Sequence, residues 1–289
     1  MPRALVVGDV MSDVLVRLDE PFARGSDAAA RIVERPGGSA ATFAVWLARA
    51  GVKVDFVGRV GAADVERLTQ AFRGDGVTAW LAGDAERPTG RLVAIVEPSG
   101  ERSFLTDRGA NDALEGSDIP EAALAGVDWL HLTGYSFQHP RPRAVARELL
   151  RQAGGVPVSV DPGSAAPLRA MGARNFLEWT CAATVLFPNA DEAAALTDSE
   201  EPALQGERLA RHYPLVVIKR GAEGAQAVAG ERRWSSAAPA AEVIDTTGAG
   251  DAFAAAFVAG RLHGEPVEAC LHAAVTAGSA ATGFVGGRG

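Results

Sequence analysis

Val243-Ile244-Asp245-Thr246-Thr247-Gly248-Ala249-Gly250-Asp251-Ala252-Phe253 joins a strand-like apolar pair to a glycine-spaced turn and then to an Ala-rich helical stretch. Two glycines around one alanine let backbone N–H groups converge on a concave nest, and the positive end of the following helix adds to the same spot. Such a spot suits a phosphate. Asp251 falls in the first turn of that helix, where the dipole favours a carboxylate, so the sequence predicts an ionised base beside an anion pocket. That pairing is what phosphoryl transfer to a hydroxyl requires. The plainer reading, a turn whose Asp251 only bonds backbone amides, stands beside it at this point.

Outward from this segment the chain alternates short β-branched runs with longer helical ones. Strands are expected at 4–7, 54–57, 129–132, 156–160, 185–187 and 215–219. Helices are expected at 43–50, 64–72, 142–153, 191–196, 205–212, 251–262 and 266–282. Alternation of this kind predicts an α/β fold with a doubly wound, mostly parallel sheet, whose ligands bind beyond the strand C-termini. Two regions break the rhythm: 14–18 with 30–34, and 91–97 with 102–106, are strand-like with no helix between, and Pro98-Ser99-Gly100-Glu101 is a hairpin signal. These strands form either a small separate sheet or edges of the main one.

The 289 residues suffice for one large domain or two ordinary ones, and 47% hydrophobic with 22% charged residues suits a globular enzyme. No apolar run approaches the roughly 20 residues of a membrane span, and the start reads as a first strand rather than a signal peptide, so a cytoplasmic protein is expected. A net charge of −8 argues against a nucleic-acid surface. Cys181 and Cys270 are read as reduced thiols, and the five histidines show no paired metal-ligand spacing.

Further motifs sit where strands end. Gly8-Asp9-Val10-Met11-Ser12-Asp13 follows the first strand; Asp9 is open between a cap and a ligand contact. Gly37-Gly38-Ser39-Ala40-Ala41-Thr42-Phe43 opens an amphipathic helix that stops at Gly51. Asn189-Ala190-Asp191-Glu192 has the spacing of a capping box. Lys219-Arg220-Gly221-Ala222-Glu223-Gly224 leaves a strand into a loop, with Lys219 either solvated or reaching a phosphate. Asp161 also ends a strand, and Gly109-Ala110-Asn111 follows the second hairpin.

The segment from Asp245 to Phe253 resembles the second signature of the PfkB (ribokinase-like) carbohydrate and nucleoside kinases, and Gly37 to Gly51 resembles the first. The resemblance implies ATP-dependent phosphoryl transfer to a hydroxyl of a small sugar or sugar-like acceptor, in an α/β domain of 1–12, 36–87 and 109–289 under a β-lid of 13–35 and 88–108. It makes Asp251 the general base and the amides of Gly248, Ala249 and Gly250 the anion hole. Asp13, Gly37, Gly38 and Thr42 contact the acceptor; Lys219, Gly221 and Gly224 border the nucleotide. Asn189 and Glu192 position Mg²⁺ through its waters, and Asp245 and Thr247 match two contacts of a monovalent cation such as K⁺. Two departures bear on substrate and cation: many members carry Asn where Thr42 stands, and the tail Gly283-Phe284-Val285-Gly286-Gly287-Arg288-Gly289 differs from the usual patterns. The family implies a homodimer through the exposed lid face. A nucleoside kinase and a non-catalytic sugar or nucleotide sensor are the alternatives; a sugar is favoured because no aromatic pair for stacking a base is placed in the lid.

Overall fold

The structure, a computed structural model, describes residues 1–21, 25–99 and 102–288. The chain opens with β1 (Arg3–Val7), β2 (Met11–Leu18), β3 (Ala30–Gly37), α1 (Ser39–Arg49), β4 (Lys53–Gly61), α2 (Val65–Gly74) and β5 (Val77–Asp84). β6 (Gly90–Val96), β7 (Arg102–Asp107), α3 (Glu121–Leu124), β8 (Trp129–Thr133), α4 (Pro140–Gln152) and β9 (Val158–Asp161) follow. Next come α5 (Ala165–Met171), α6 (Ala173–Thr180), β10 (Val185–Leu186), α7 (Ala190–Thr197), α8 (Pro202–Leu209) and β11 (Leu215–Lys219). β12 (Ala225–Ala229), β13 (Arg232–Ser236), α9 (Ala249–Leu262) and α10 (Val267–Ala281) complete it.

Nine strands form the main sheet in the order β13-β12-β11-β10-β9-β8-β1-β4-β5, parallel from β11 to β5 with β12 and β13 antiparallel at one edge. Both faces are covered, so the central strands β1, β8 and β9 bury nearly every residue: Ala4 and Val6 face a core with Phe43, Phe56, Phe253 and Phe257, while Leu5 and Val7 face one with Phe137, Phe176 and Tyr213. The strand order reverses between β1 and β8, which places a ligand crevice beyond their C-terminal ends.

β2, β3, β6 and β7 pair among themselves as a second sheet, so the separate-sheet reading holds over the edge-strand one. Gly100 and Glu101 of the expected hairpin turn lie outside the described residues, but β6 and β7, which that turn joins, are antiparallel. One expectation fails, and several elements were not foreseen. Val243 and Ile244 are exposed and lie outside any strand, because the N–H groups of Ile244 and Asp245 both dock on the Thr282 carbonyl at the end of α10. The strands β5 and β12 and the Arg-rich edge strand β13 were not anticipated, nor were the short helices α3, α5 and α6. Among the described residues no helix is long and apolar enough to cross a membrane.

Phe257 is fully buried on α9 and meets Phe187 edge-on at 5.4 Å. Phe257→Ala is expected to cost about 3–5 kcal/mol through the cavity it leaves, read as a lower urea midpoint at unchanged slope.

Candidate active site

Gly248 sits at φ 76° before the first turn of α9, and a Cβ there would lie 2.5 Å from Gly287 Cα and carbonyl oxygen, so both backbone and space demand glycine. The Ala249 amide donates to the Thr246 carbonyl at 3.3 Å. The amides of Gly250 and Asp251 lie ahead of the first intrahelical bond, from Ala252 N–H to the Gly248 carbonyl at 2.9 Å. Asp251 Oδ1 accepts the Ser39 hydroxyl proton at 2.7 Å. Burial, with the charges of Asp161 and Asp9, pushes its carboxyl well above the ordinary value against the opposing pull of Ser39 and Lys219. Desolvation thus works against the ionised form that the helix dipole favours. A carboxyl held this high is a stronger base once its proton has left.

The loop after β1 holds Asp9 at the start of α1. Its Oδ2 accepts the Ser39 amide proton at 3.0 Å, while Oδ1 accepts the Ala40 amide at 3.4 Å and the Thr133 hydroxyl at 3.2 Å. Gly38, the N-cap of α1, has no side chain of its own; it stands at φ 93°, and a Cβ on it would meet the Asp9 carbonyl at 2.5 Å. Asp9 thus caps α1 from a different element. Asp13, two residues into β2, sits against Gly37, where no side chain would fit. Its Oδ1 is buried with no partner among the described residues. Burial and the charge of Asp9 raise its carboxyl to about 6, Arg288 notwithstanding. An orphaned acceptor lining a cavity is what a ligand hydroxyl satisfies.

Across the crevice the capping box at the start of α7 is complete. Asn189 Oδ1 accepts the Glu192 amide at 2.8 Å, and Glu192 accepts the Asn189 amide at 2.8 Å and its side-chain Nδ2–H at 2.8 Å. Glu192 is 1% exposed, and burial raises its carboxyl to about 7. Lys219 is neither solvated nor free: its Nζ pairs with Asp161 Oδ2 at 2.6 Å. Burial alone would lower the ammonium, but Asp161 and Glu192 outweigh it and raise it. Asp245 Oδ1 accepts the Thr247 amide and hydroxyl at 2.9 and 2.8 Å, and Oδ2 accepts the Gly286 amide at 3.0 Å.

These pieces surround two adjoining cavities. One, of about 560 Å³, is lined by Asp13, Gly38, Thr42, Asn189, Glu192, Lys219, Thr247, Gly248, Gly250 and Asp251. The other, of about 680 Å³, is lined by Gly221, Gly224, Ala249 and Phe253 among others, and the two share Asn189, Lys219, Thr246 and Gly250. Gly37 and Asp245 line neither cavity; they touch lining residues, Gly37 through Asp13 and Asp245 through Thr247. Sequence reading missed Ser39, Tyr135 and Arg108 and left Asp161 unassigned; all four line the first cavity. Ser39 was visible inside the quoted helix start, whereas Tyr135 and Arg108 reach the cavity only through the topology. Phe104 of β7 also lines it, so the second sheet brings an aromatic side chain to the cavity wall.

The model of the "pfkB family carbohydrate kinase" matches residues 1–288. The chain belongs to that family. Its reaction is ATP-dependent phosphoryl transfer to a sugar-like acceptor. An ATP-dependent ribose-1-phosphate kinase from Halopiger xanaduensis is 33% identical over 100% of this chain and 94% of that protein. A ribokinase from Bacillus subtilis is 28% identical over 100% and 96%. Among solved structures, the adenosine kinase from Sinorhizobium meliloti superposes at TM-score 0.91 with 27% identity, covering 100% of this chain and 96% of that one. The Arabidopsis thaliana ribokinase complexed with ribose and ATP gives 0.81 at 26% identity, covering 99% and 94%.

Ser39→Ala removes the hydrogen bond that favours the charged form of Asp251. The acid limb of the kcat/KM profile is expected to move up by about 0.5–1 pH unit. A limb that stays in place would show that another group governs it.

Proposed function

We propose that this carbohydrate kinase phosphorylates a primary hydroxyl of a ribose-type acceptor, with Asp251 as the general base. The observation that carries the proposal is the meeting of the two cavities at Gly250, next to the Asp251 carboxyl. The relatives named for ribose and ribose-1-phosphate point the same way. In this reading the acceptor hydroxyls bind Asp13, Gly38 and Thr42, with Gly37 giving the Asp13 carboxylate its room. The reacting hydroxyl gives its proton to Asp251, and the amides of Gly248, Ala249 and Gly250 at the start of α9 hold charge on the transferring phosphoryl group, the Ala249 amide by giving up its 3.3 Å bond to Thr246. Gly221 and Gly224 border the nucleotide in the second cavity, and Lys219 stands where the two cavities join. The four-stranded sheet, 13–35 and 88–108, closes as a lid on the domain formed by 1–12, 36–87 and 109–289, excluding competing water.

Mg²⁺ fits this site as an ion that keeps its water shell. Among the described residues no cluster of three or more His, Cys, Asp or Glu side chains is arranged to cage a metal, and Glu192 is already bonded twice to Asn189. Asn189 and Glu192 would hold it through water, and the ion would neutralise nucleotide phosphate charge. Asp245 and Thr247 offer oxygens to K⁺, and activity is expected to be higher in KCl than in NaCl. A cytoplasmic location follows from the two free thiols, and a homodimer through the lid from exposed Ile32 and Leu105.

A nucleoside acceptor is the second reading, favoured by Phe104 and Tyr135 on the cavity wall. Assaying ADP release with ribose and adenosine decides between them. In the same assay Asp251→Asn is expected to lower kcat by about 10²–10⁴-fold while sparing ATP affinity; near-full turnover by this variant would remove Asp251 from the mechanism.

A further inference from the structure

One cation in the acceptor cavity has no task in the transfer just described. Arg108 follows the last lid strand and lines the cavity with Thr106, Phe104 and Asp13. Its root is fixed: the Arg108 carbonyl accepts the Asn111 amide at 3.1 Å and the Asn111 Nδ2–H at 2.9 Å. Asn111 also accepts the Val10 amide and donates to the Val10 carbonyl, both at 2.9 Å. Arg108 is thereby tied to the segment that leads into Asp13.

The side chain is fixed too. Nε–H donates to Asp112 Oδ1 at 3.0 Å, and the guanidinium carbon lies 5.4 Å over the ring of Tyr135, whose hydroxyl donates to the Gly163 carbonyl at 3.1 Å. At 10% exposure it is no solvated surface arginine. Asp112 takes only the Nε edge, while its Oδ2 lies 3.3 Å from His139 Nε2. Among the described residues no acceptor meets the two Nη groups, so the far edge of the guanidinium is left for a ligand.

Neutral sugar hydroxyls do not need such a group, because Asp13 already offers them an acceptor. A planar guanidinium edge matches the two oxygens of a phosphate or carboxylate. The remaining charged groups on the wall argue for the same placement. Asp9, Asp13, Asp161, Glu192 and Asp251 all repel an anion, and the Lys219 ammonium is taken by Asp161. We propose that Arg108 binds an anionic substituent of the acceptor, a phosphate monoester or a carboxylate, on the end of the sugar away from the hydroxyl that Asp251 deprotonates. The proposal rests on Asp251 being the base, which puts the reacting hydroxyl at one end of the acceptor; in a pentose phosphorylated at its primary hydroxyl, the other end is C1.

The test compares ribose, ribose 1-phosphate and ribonate by ADP release, with wild type, Arg108→Gln and Arg108→Lys. Calorimetric binding of the same three compounds, with a non-hydrolysable ATP analogue present, runs alongside. Wild type is expected to prefer at least one anionic compound over ribose, and Arg108→Gln to cut that preference ratio about 10–100-fold, with Arg108→Lys in between. Preference for ribose 1-phosphate identifies a phosphate, and preference for ribonate a carboxylate. Equal use of all three by wild type, or an equal fall for all three in Arg108→Gln, overturns the proposal. If no compound is turned over, the kinase reading of the acceptor fails, and binding still decides: selective weakening of the anionic compounds in Arg108→Gln supports the Arg108 site, and equal binding overturns it.

Discussion

The Asp9 carboxylate is the constraint on which the site depends. It lies just past the end of β1, where the strand order reverses, and its two oxygens receive the first amides of α1 and the Thr133 hydroxyl at the end of β8. A helix that begins at a glycine has no capping side chain, and Gly38 cannot be replaced because the Asp9 carbonyl occupies the space. The cap therefore comes from the neighbouring strand end, and one charge fixes three elements at the mouth of the crevice. The consequence reaches the chemistry. Ser39, whose amide Asp9 holds, turns its hydroxyl onto Asp251, so the placement of the Asp251 carboxyl depends on a cap at the start of α1.

The same crevice concentrates negative charge. Asp9, Asp13, Asp161, Glu192 and Asp251 share one cavity, and two unit charges 4 Å apart interact by about 4 kcal/mol at an effective dielectric constant near 20. The site relieves this in three ways. Lys219 is spent on Asp161, Glu192 is enclosed by Asn189, and the carboxyls of Asp13, Glu192 and Asp251 are all raised, so that they hold protons more readily than free carboxylates. ATP adds yet more negative charge to this crevice, so any anion bound there needs a compensating cation.

Much of this was legible in the sequence because it is local. The Gly248-Ala249-Gly250-Asp251 turn, the Asn189 to Glu192 box and the glycine pair at Gly37 each state their geometry within a few residues, and the strand and helix rhythm set the sheet. What was not legible depends on partners far along the chain. Nothing near Asp251 announces Ser39, 212 residues earlier. The raised carboxyl followed from burial, which the position in a helix's first turn does not reveal. Phe104 reads as an ordinary strand residue until the second sheet folds over the crevice and sets it on the cavity wall.

The tail shows the same principle most fully. Gly286, Gly287 and Arg288 had no pattern to match, yet each meets a different part of the site: Gly286 N–H reaches Asp245, Gly287 lies against Gly248 and Thr42, and the Arg288 guanidinium donates to the Gly37 carbonyl at 3.2 Å. The Gly287 carbonyl also accepts the Trp46 Nε1 proton at 2.9 Å, pinning the tail to α1. Gly37 pairs with Met11 at the root of the lid, and Val10 beside it is held by Asn111. The root of the second sheet is thus tied to the Gly248 turn, to α1 and to Arg108, while Ile32 and Leu105 on its outer strands are exposed. Asp13 lies at that root, held against Gly37 by the same contacts that fix the tail, so its place beside the cavity is set by the main domain as much as by the second sheet.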